Sequence, residues 1–453
     1  MPPWKILIKR DPPTAPLDDS DLNLDISGVV GFFGGDVAVS AMATVHIYEA
    51  RKYLGWYNTP GSYEVAKRYG QVAKSRFWDG LYPGINHDPA VLFELDGSDG
   101  PRYRGVQSGT VMRKTGHLGN LFLAECKACP SEGWKAPPDA RVTSPSHVII
   151  AHCLHAVSQS KRPRLTKAKR VKTSLFALIP ILSSIATAGI CAWFEDWISF
   201  SVIVLGMVTS GISCYIIGTG KLDFTRPEPG KGSSPAHGIL DERDHVVILK
   251  GPKTAINTIT RGRFTLEYEG SKRFARLGIS SSLLTIQFLA QLLAIPQATN
   301  FGQVMFLASL GVSWIYNSYL SSIDREKLQR HILMKKVLRR PLLRKYTFGT
   351  RTAMVVFTLL VLALDLYNEE LHSTALADSD ALRTVLDDLL PNDTPAWRFW
   401  KTTIVNDIPT MLRGQSVYRI PALHVVPPNQ KKLLVQLYKD ADMALAAFDV
   451  YKR

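Results

Sequence analysis

The sequence predicts an all-α integral membrane protein: four transmembrane helices in two hairpins, two borderline apolar segments, and loop-rich soluble regions. Three observations predict it. Four stretches, Ser174–Phe194, Trp197–Gly218, Leu277–Pro296 and Phe301–Leu320, carry no Asp, Glu, Lys or Arg, and each approaches the ~20 apolar residues that a helix needs to cross hydrocarbon. They are joined in pairs by very short links, Glu195–Asp196 between two tryptophans and Gln297–Asn300 after Pro296. Finally, basic residues gather on one side of this plan. Lys161–Lys172 has seven and no acid, Lys221–Arg276 has eleven against seven acids, and Ser321–Thr352 has ten against two. The hairpin links have none, so the basic segments are expected in the cytoplasm. Whole-chain averages, 46 % hydrophobic and 21 % charged with a net charge of +15 over 453 residues, hide this segregation.

In chain order, residues 1–25 form an N-terminal tail without a continuous apolar core or small-residue cleavage site, so no cleavable signal peptide is expected. Residues 26–48 are long enough to span but carry four glycines and Asp36. If that segment spans, Asp36 is the only carboxylate at membrane depth and a functional candidate. Residues 49–173 read as a loop-rich cytoplasmic region with a basic end, marked by turn chemistry in "DGLYPGINHDP" and "ELDGSDGPRYRG". The basic block Lys161–Lys172 serves as a topology anchor; a nucleic-acid arm would carry stacking aromatics, and it has none. After the first hairpin (174–218), residues 219–276 form a cytoplasmic loop with short strands at "HVVILKG" and "RFTLEYE". The second hairpin (277–320) leads into a basic amphipathic segment (321–352). Its apolar residues Leu328, Ile332, Leu333, Val337 and Leu338 recur near helical spacing, as in a membrane-surface helix. The short apolar helix 353–367, interrupted by Asp365, is interfacial, protein-packed or spanning. The tail 368–453 is helical, most regularly over "NQKKLLVQLYKDADMALAAFDVY", and carries a glycosylation pattern at Asn392.

Candidate chemistry is sparse. Cys126 and Cys129 form a CxxC followed by His147 and His152, a set that can close a tetrahedral zinc site because two thiolates so spaced chelate from one turn. The gap to His147 is longer than in common zinc fingers. Zinc is the one cofactor the residues suggest. "HGILDERDH" would place imidazoles and carboxylates on one helical face, but the histidine boxes of membrane desaturases are absent. "GTGK" lacks the rest of a phosphate loop, there is no GxSxG, and the paired acids of "LDDLLPND" lie in the tail. Within the spans, Ser184–Ala188 and Gly206–Ser210 are small-residue pairs suited to close helix packing. Gln287, Gln291 and Asn317 are polar groups at membrane depth that either bond across helices or line a polar cavity.

The stretches "FGQVMFLASLGVSWIYNSYLSSIDREKLQR", "YTFGTRTAMVVFTLLVLA" and "LLPNDTPAWRFWKTTIV" resemble multi-pass membrane proteins of basidiomycete fungi over about the last half of the chain. That family has no assigned activity, so the resemblance implies no catalytic residues. The expectation is a non-enzymatic membrane scaffold or regulatory protein. A transporter or channel component and a membrane metalloenzyme stand as alternatives. Expected partners are the lipid bilayer, anionic headgroups at the basic segments and a second copy of the chain, with no nucleic acid. Endoplasmic reticulum and plasma membrane are equally open.

Overall fold

The computed structural model describes residues 33–73, 76–84, 88–131, 133–138, 140–154, 175–232, 234, 236–268, 271–369, 376–414 and 425–453. The chain divides into two compact units: 1–97, 164–223 and 264–325 form a helical unit, and 98–163, 224–263 and 326–453 form an α/β unit. Elements are numbered in chain order throughout.

The α/β unit corrects the all-α expectation. A seven-stranded mixed sheet runs in the order β2-β1-β6-β7-β4-β9-β3, with β1 Arg102–Gly105, β2 Val111–Met112, β3 Trp134–Lys135, β4 Ser146–His152, β6 Gly238–Glu242, β7 His245–Lys250 and β9 Leu342–Phe348. A separate two-stranded sheet pairs β5, Lys221–Thr225, with β8, Arg263–Glu267. The parallel pair β4 and β7 sits in the middle, and its apolar run is buried on both faces. That is why "HVIIAH" and "HVVILK" read as unbroken β-branched runs instead of alternating. Six residues fill a strand but give fewer than two helical turns, so "HVIIAH" forms a strand although it is apolar enough for a helix.

One face of the sheet, through Val148, Ile150, Val246, Ile248, Tyr346 and Phe348, packs on α12 Arg351–Glu369. Around that helix lie α13 Leu376–Leu389, α14 Pro395–Leu412 and α15 Lys431–Lys452. The second face is covered by α5 His117–Ala128, which packs on α8 Lys253–Arg261. The apolar segment 353–367 is therefore neither interfacial nor spanning. Every residue from Ala353 to Phe357 and from Leu359 to Val361 is fully buried in the protein core, because α12 is enclosed by sheet and helices on all sides. Asp365, the acid that ends its apolar run, accepts an ion pair from Lys250 at 2.7 Å, and the same ammonium donates to Tyr451 Oη at 2.9 Å. The expected membrane-surface helix over 324–344 is also corrected. It divides into α11 Arg325–Ile332, a π-helical turn Leu333–Val337 and β9, and Ile332, Leu333, Met334, Val337 and Leu338 are buried within the protein. The acids of "LDDLLPND" are structural: Arg102 and Arg104 clamp Asp388 at 2.8 and 2.7 Å, and Lys401 holds Asp387 at 2.8 Å.

The helical unit is built on α6 Leu178–Trp193, α7 Trp197–Ile217, α9 Ser271–Ala294 and α10 Asn300–Ser321. Two shorter helices, α1 Gly35–Ala43 and α2 Ser62–Gly70, pack against α10 and α9, and α3 Arg76–Leu81 and α4 Pro89–Leu92 complete it. Two helices, Trp197–Ile217 of 21 residues and Ala275–Gln297 of 23, are long and apolar enough to cross a membrane. That replaces the four-span, multi-pass plan. The described α6 is only 16 residues, and α10 breaks its apolar character with Gln303, Asn317 and several hydroxyl residues. The segment 26–48 is not one span either: its described part holds the nine-residue α1 and a 3₁₀ turn, Thr44–His46.

In the α/β core, Phe357 is fully buried, with ring centroids 4.8 Å from Tyr346 and 5.2 Å from Phe348. Phe357→Ala is expected to lower the urea-unfolding free energy of this unit by about 3–5 kcal/mol, the usual cost of emptying such a site.

Candidate functional site

The inner faces of the four long helices mix polar and apolar side chains. Ser184 on α6, Ser199, Thr209, Ser210 and Ser213 on α7, Ser280, Ser281, Gln287 and Gln291 on α9, and Gln303, Ser309, Ser313 and Asn317 on α10 are all buried, beside an apolar cluster that includes Val202, Ile203, Phe306 and Leu310. Their outer faces expose Leu182 and Ile185, Ile198 and Val208, Ile286 and Leu293, and Trp314 and Ile315, more large apolar surface than a helix bundle in water usually leaves.

What fills the interior is a non-helical segment, Leu54–Pro60, in which Tyr57, Asn58, Thr59 and Pro60 are buried. Asn58 reaches three helices. Its backbone N–H donates to Ser184 Oγ at 3.1 Å, its Nδ2 donates to Ser309 Oγ at 2.9 Å, and its Oδ1 accepts from Gln291 Nε2 at 3.0 Å. Asn317 joins from α10: it accepts from Tyr57 Oη at 2.9 Å and donates to Thr59 Oγ1 at 3.0 Å. Gln287 accepts a bond from Thr209 Oγ1. Gln287, Gln291 and Asn317 are all buried. The structure brings Gln291 and Asn317 to one loop, each bonded to a residue of Leu54–Pro60. Gly206 serves this loop, because a Cβ there would strike Asn58 Oδ1, and it also lies close to Gln291 Nε2 of α9; Gly211 likewise leaves room for Trp56.

At one end of the interior, Asp196 caps α7 by accepting from Ser199 N–H at 3.0 Å. Its other oxygen accepts from Thr299 N–H at 3.2 Å and Thr299 Oγ1 at 2.6 Å. A carboxylate thus sits between the N-termini of α7 and α10, where helix dipoles favour it. At the other end lies Arg51, only 5 % exposed. It donates from Nε to Thr44 Oγ1 at 2.8 Å, from Nη1 to Tyr316 Oη and from Nη2 to Tyr57 Oη, both at 3.4 Å. Its guanidinium lies 5.6 Å from the Tyr316 ring centroid. Burial opposes its charge, but the phenols of Tyr57 and Tyr316 and the Cys214 thiol outweigh burial and keep it protonated. Beside it, His46 is enclosed by Tyr69, Phe93 and Tyr268, and burial lowers its pKa to about 4 despite a contact with the Gly220 carbonyl.

Sequence reasoning missed Arg51, Tyr57 and Asn58, because a polar loop carries no periodicity; the available signal was "GWYNTPG", two glycines and a proline framing amide and hydroxyl donors. Asp36 is exposed in the first turn of α1. The zinc set is dispersed. Cys126 is buried in α5 and Cys129 follows its end. His147 and His152 stand at opposite ends of β4, roughly 16 Å apart at strand rise and on opposite faces. Among the described residues no three His, Cys, Asp or Glu side chains group as a metal requires. His147 stacks instead on His245 at 4.7 Å, and "HGILDERDH" is the β6–β7 hairpin. The basic block Lys161–Lys172 lies outside the described residues.

No family model matches the chain, and no curated protein or solved structure does so either.

Two outcomes are expected. Gly206→Ala should cost about 1–3 kcal/mol through displacement of Asn58, and much less when Asn58→Ala is already present, since contacting sites are not additive; thermal unfolding of the full chain in mild detergent measures both. For His46, the folded pKa of about 4 lies below the ordinary imidazole value of 6.5. The unfolded chain therefore binds the proton first as pH falls. Stability is full above pH ~6.5 and is lost through the window down to pH ~4, by about 3 kcal/mol. The difference between wild type and His46→Gln across that window should show this slope.

Proposed function

We propose that this is a non-enzymatic membrane protein of the scaffold or regulatory kind, with its helical unit seated in a lipid bilayer. The reading is carried by one observation: the helices bury Ser, Thr, Gln and Asn side chains between them and leave large Leu, Ile, Val and Trp side chains exposed on their outer faces. In water, each exposed Leu or Ile forgoes about 1.5–3 kcal/mol of burial. In hydrocarbon the same surface costs nothing, and the polar groups must find partners inside. Only half of Trp197–Ile217 and 39 % of Ala275–Gln297 is buried within the protein, which leaves an apolar surface for lipid. The α/β unit has the opposite organisation, with an apolar core and few large apolar side chains exposed. Basic segments such as Ser321–Thr352 supply charges for anionic headgroups.

A second reading, a transporter or channel component, is favoured by a specific feature. Ser280 Oγ, Ser313 Oγ, Gln287 Nε2 and Gln303 Oε1 are buried on the inner faces without a hydrogen-bond partner in the protein. Irregular backbone inside a membrane bundle is the usual surrounding of a polar path.

Alkaline carbonate extraction and flotation with vesicles test the first reading. The wild type should float with lipid after extraction, and a variant with Leu182, Ile185, Ile286 and Leu293 all changed to Asn should shift largely to the aqueous fraction. A wild type that washes off with alkali would overturn the proposal.

A further inference from the structure

We infer that the helical unit carries a collar of exposed aromatic and basic side chains at the end away from the Glu195–Asp196 link, and that this collar docks on the phosphates of anionic lipid. It rests on the bilayer seating proposed for this unit and names the lipid class that one end meets. Exposed aromatic side chains mark both ends. At the link end Trp193 and Trp197 are exposed, and Phe194 lies 5.0 Å from Phe301 between ring centroids. At the other end Tyr53 lies 5.9 Å from Tyr215 and Phe176 lies 5.5 Å from Tyr319, all four exposed. Along α7, Trp197 to Tyr215 covers about 27 Å at about 1.5 Å rise per residue, close to the ~30 Å of a hydrocarbon core. Aromatic rings collect at the two boundaries of that core. Between them α7 carries no charged residue, and α9 carries none after Arg276.

Charge distinguishes the two ends. The link end exposes Glu195, and neither Glu195–Asp196 nor Gln297–Asn300 holds a Lys or Arg. Helices α7 and α9 run antiparallel, Thr209 bonding to Gln287 and Ser213 to the Ser280 carbonyl, so the end of α7 lies beside the start of α9. There α9 exposes Arg276. A Cβ at Gly278 would strike the Trp78 indole, which places α3 at the same level and with it the exposed Arg76. Gly70, the last residue of α2, packs on the Tyr82 ring, so the exposed Lys67 and Arg68 sit next to α3. Lys52 adds a further charge, its Nζ 5.1 Å from the centroid of the Tyr53 ring. The acids on α2, α3 and α9 are Asp79 and Glu64, the latter at the opposite end of α2 beside Gly35. On α3, Phe77 is 69 % exposed and Leu81, one turn on, is exposed as well. An apolar pair flanked by Arg76 suits the boundary where rings enter the acyl region and cations stay among phosphates.

Spin-labelled lipids test the collar. The full-length protein is reconstituted in phosphatidylcholine vesicles, and the association of spin-labelled phosphatidylglycerol is read against that of spin-labelled phosphatidylcholine. The wild type should prefer phosphatidylglycerol by roughly fivefold or more, the factor that one basic residue near an anionic surface supplies. Changing Lys67, Arg68 and Arg76 together to Gln should bring the ratio close to one. A triple variant that keeps the wild-type preference overturns the collar and assigns the headgroups to other basic segments. A wild type that incorporates into phosphatidylcholine but shows no preference overturns the collar alone and leaves the bilayer seating standing. A wild type that does not incorporate at all overturns both. Should the triple variant fail to fold, Arg76→Gln alone, on the exposed α3, gives the same comparison, and a preference unchanged from wild type again overturns the collar.

Discussion

The helical unit depends on Asn58. Apolar packing, as at Val202, Ile203, Phe306 and Leu310, closes only part of the surfaces between the four helices, and each buried polar group left unpaired there costs about 1–3 kcal/mol. Asn58 resolves this by presenting a donor pair and an acceptor to α6, α9 and α10 from a chain segment that is not itself a helix. A helix could not do so, since its backbone donors are already used. The loop is held at its start by Gly55 against Cys214 and at its end by Gly61, whose φ of 71° only glycine adopts at little cost. The absence of a Cβ at Gly206 and Gly211 then follows as a requirement of the loop's depth.

The two units use the same apolar vocabulary against different surroundings. In the α/β unit, Met354, Phe357, Leu360 and Val361 are enclosed by protein, and the sheet beneath them is continuous from Val148 to Phe348. In the helical unit, Leu182, Ile286 and Ile315 face outward while the serines of the same helices face inward. Composition cannot distinguish these cases. The helix 351–369 and the helix 197–217 are both rich in Val, Leu and Ile; only the second has a ladder of small and hydroxyl residues, Ser199, Gly206, Ser210 and Ser213, along one face. The ladder marks the side turned to protein, and the remaining circumference is apolar.

Much of this was legible in the sequence, and the failures have physical causes. The helix breaks at Glu195–Asp196 and Gln297–Asn300 were visible because charge and proline end apolar runs sharply. The strand at "HVVILKG" was visible because its β-branched run is too short for a helix. The seven-stranded sheet was not, since β1, β2 and β3 are two to four residues each and hold their place only through neighbours distant in sequence. The apolar run at 353–367 stayed open between protein and membrane because burial by protein and burial by lipid select the same residues. Gln291 and Asn317 were identifiable as polar groups in apolar helices, but their partners lie about 230 to 260 positions away in a loop without pattern.

The interior also has an electrostatic direction. Helices α7 and α10 both start near Asp196, so their positive ends meet its buried carboxylate and their negative ends lie toward Arg51. This arrangement lowers the cost of both charges without joining them.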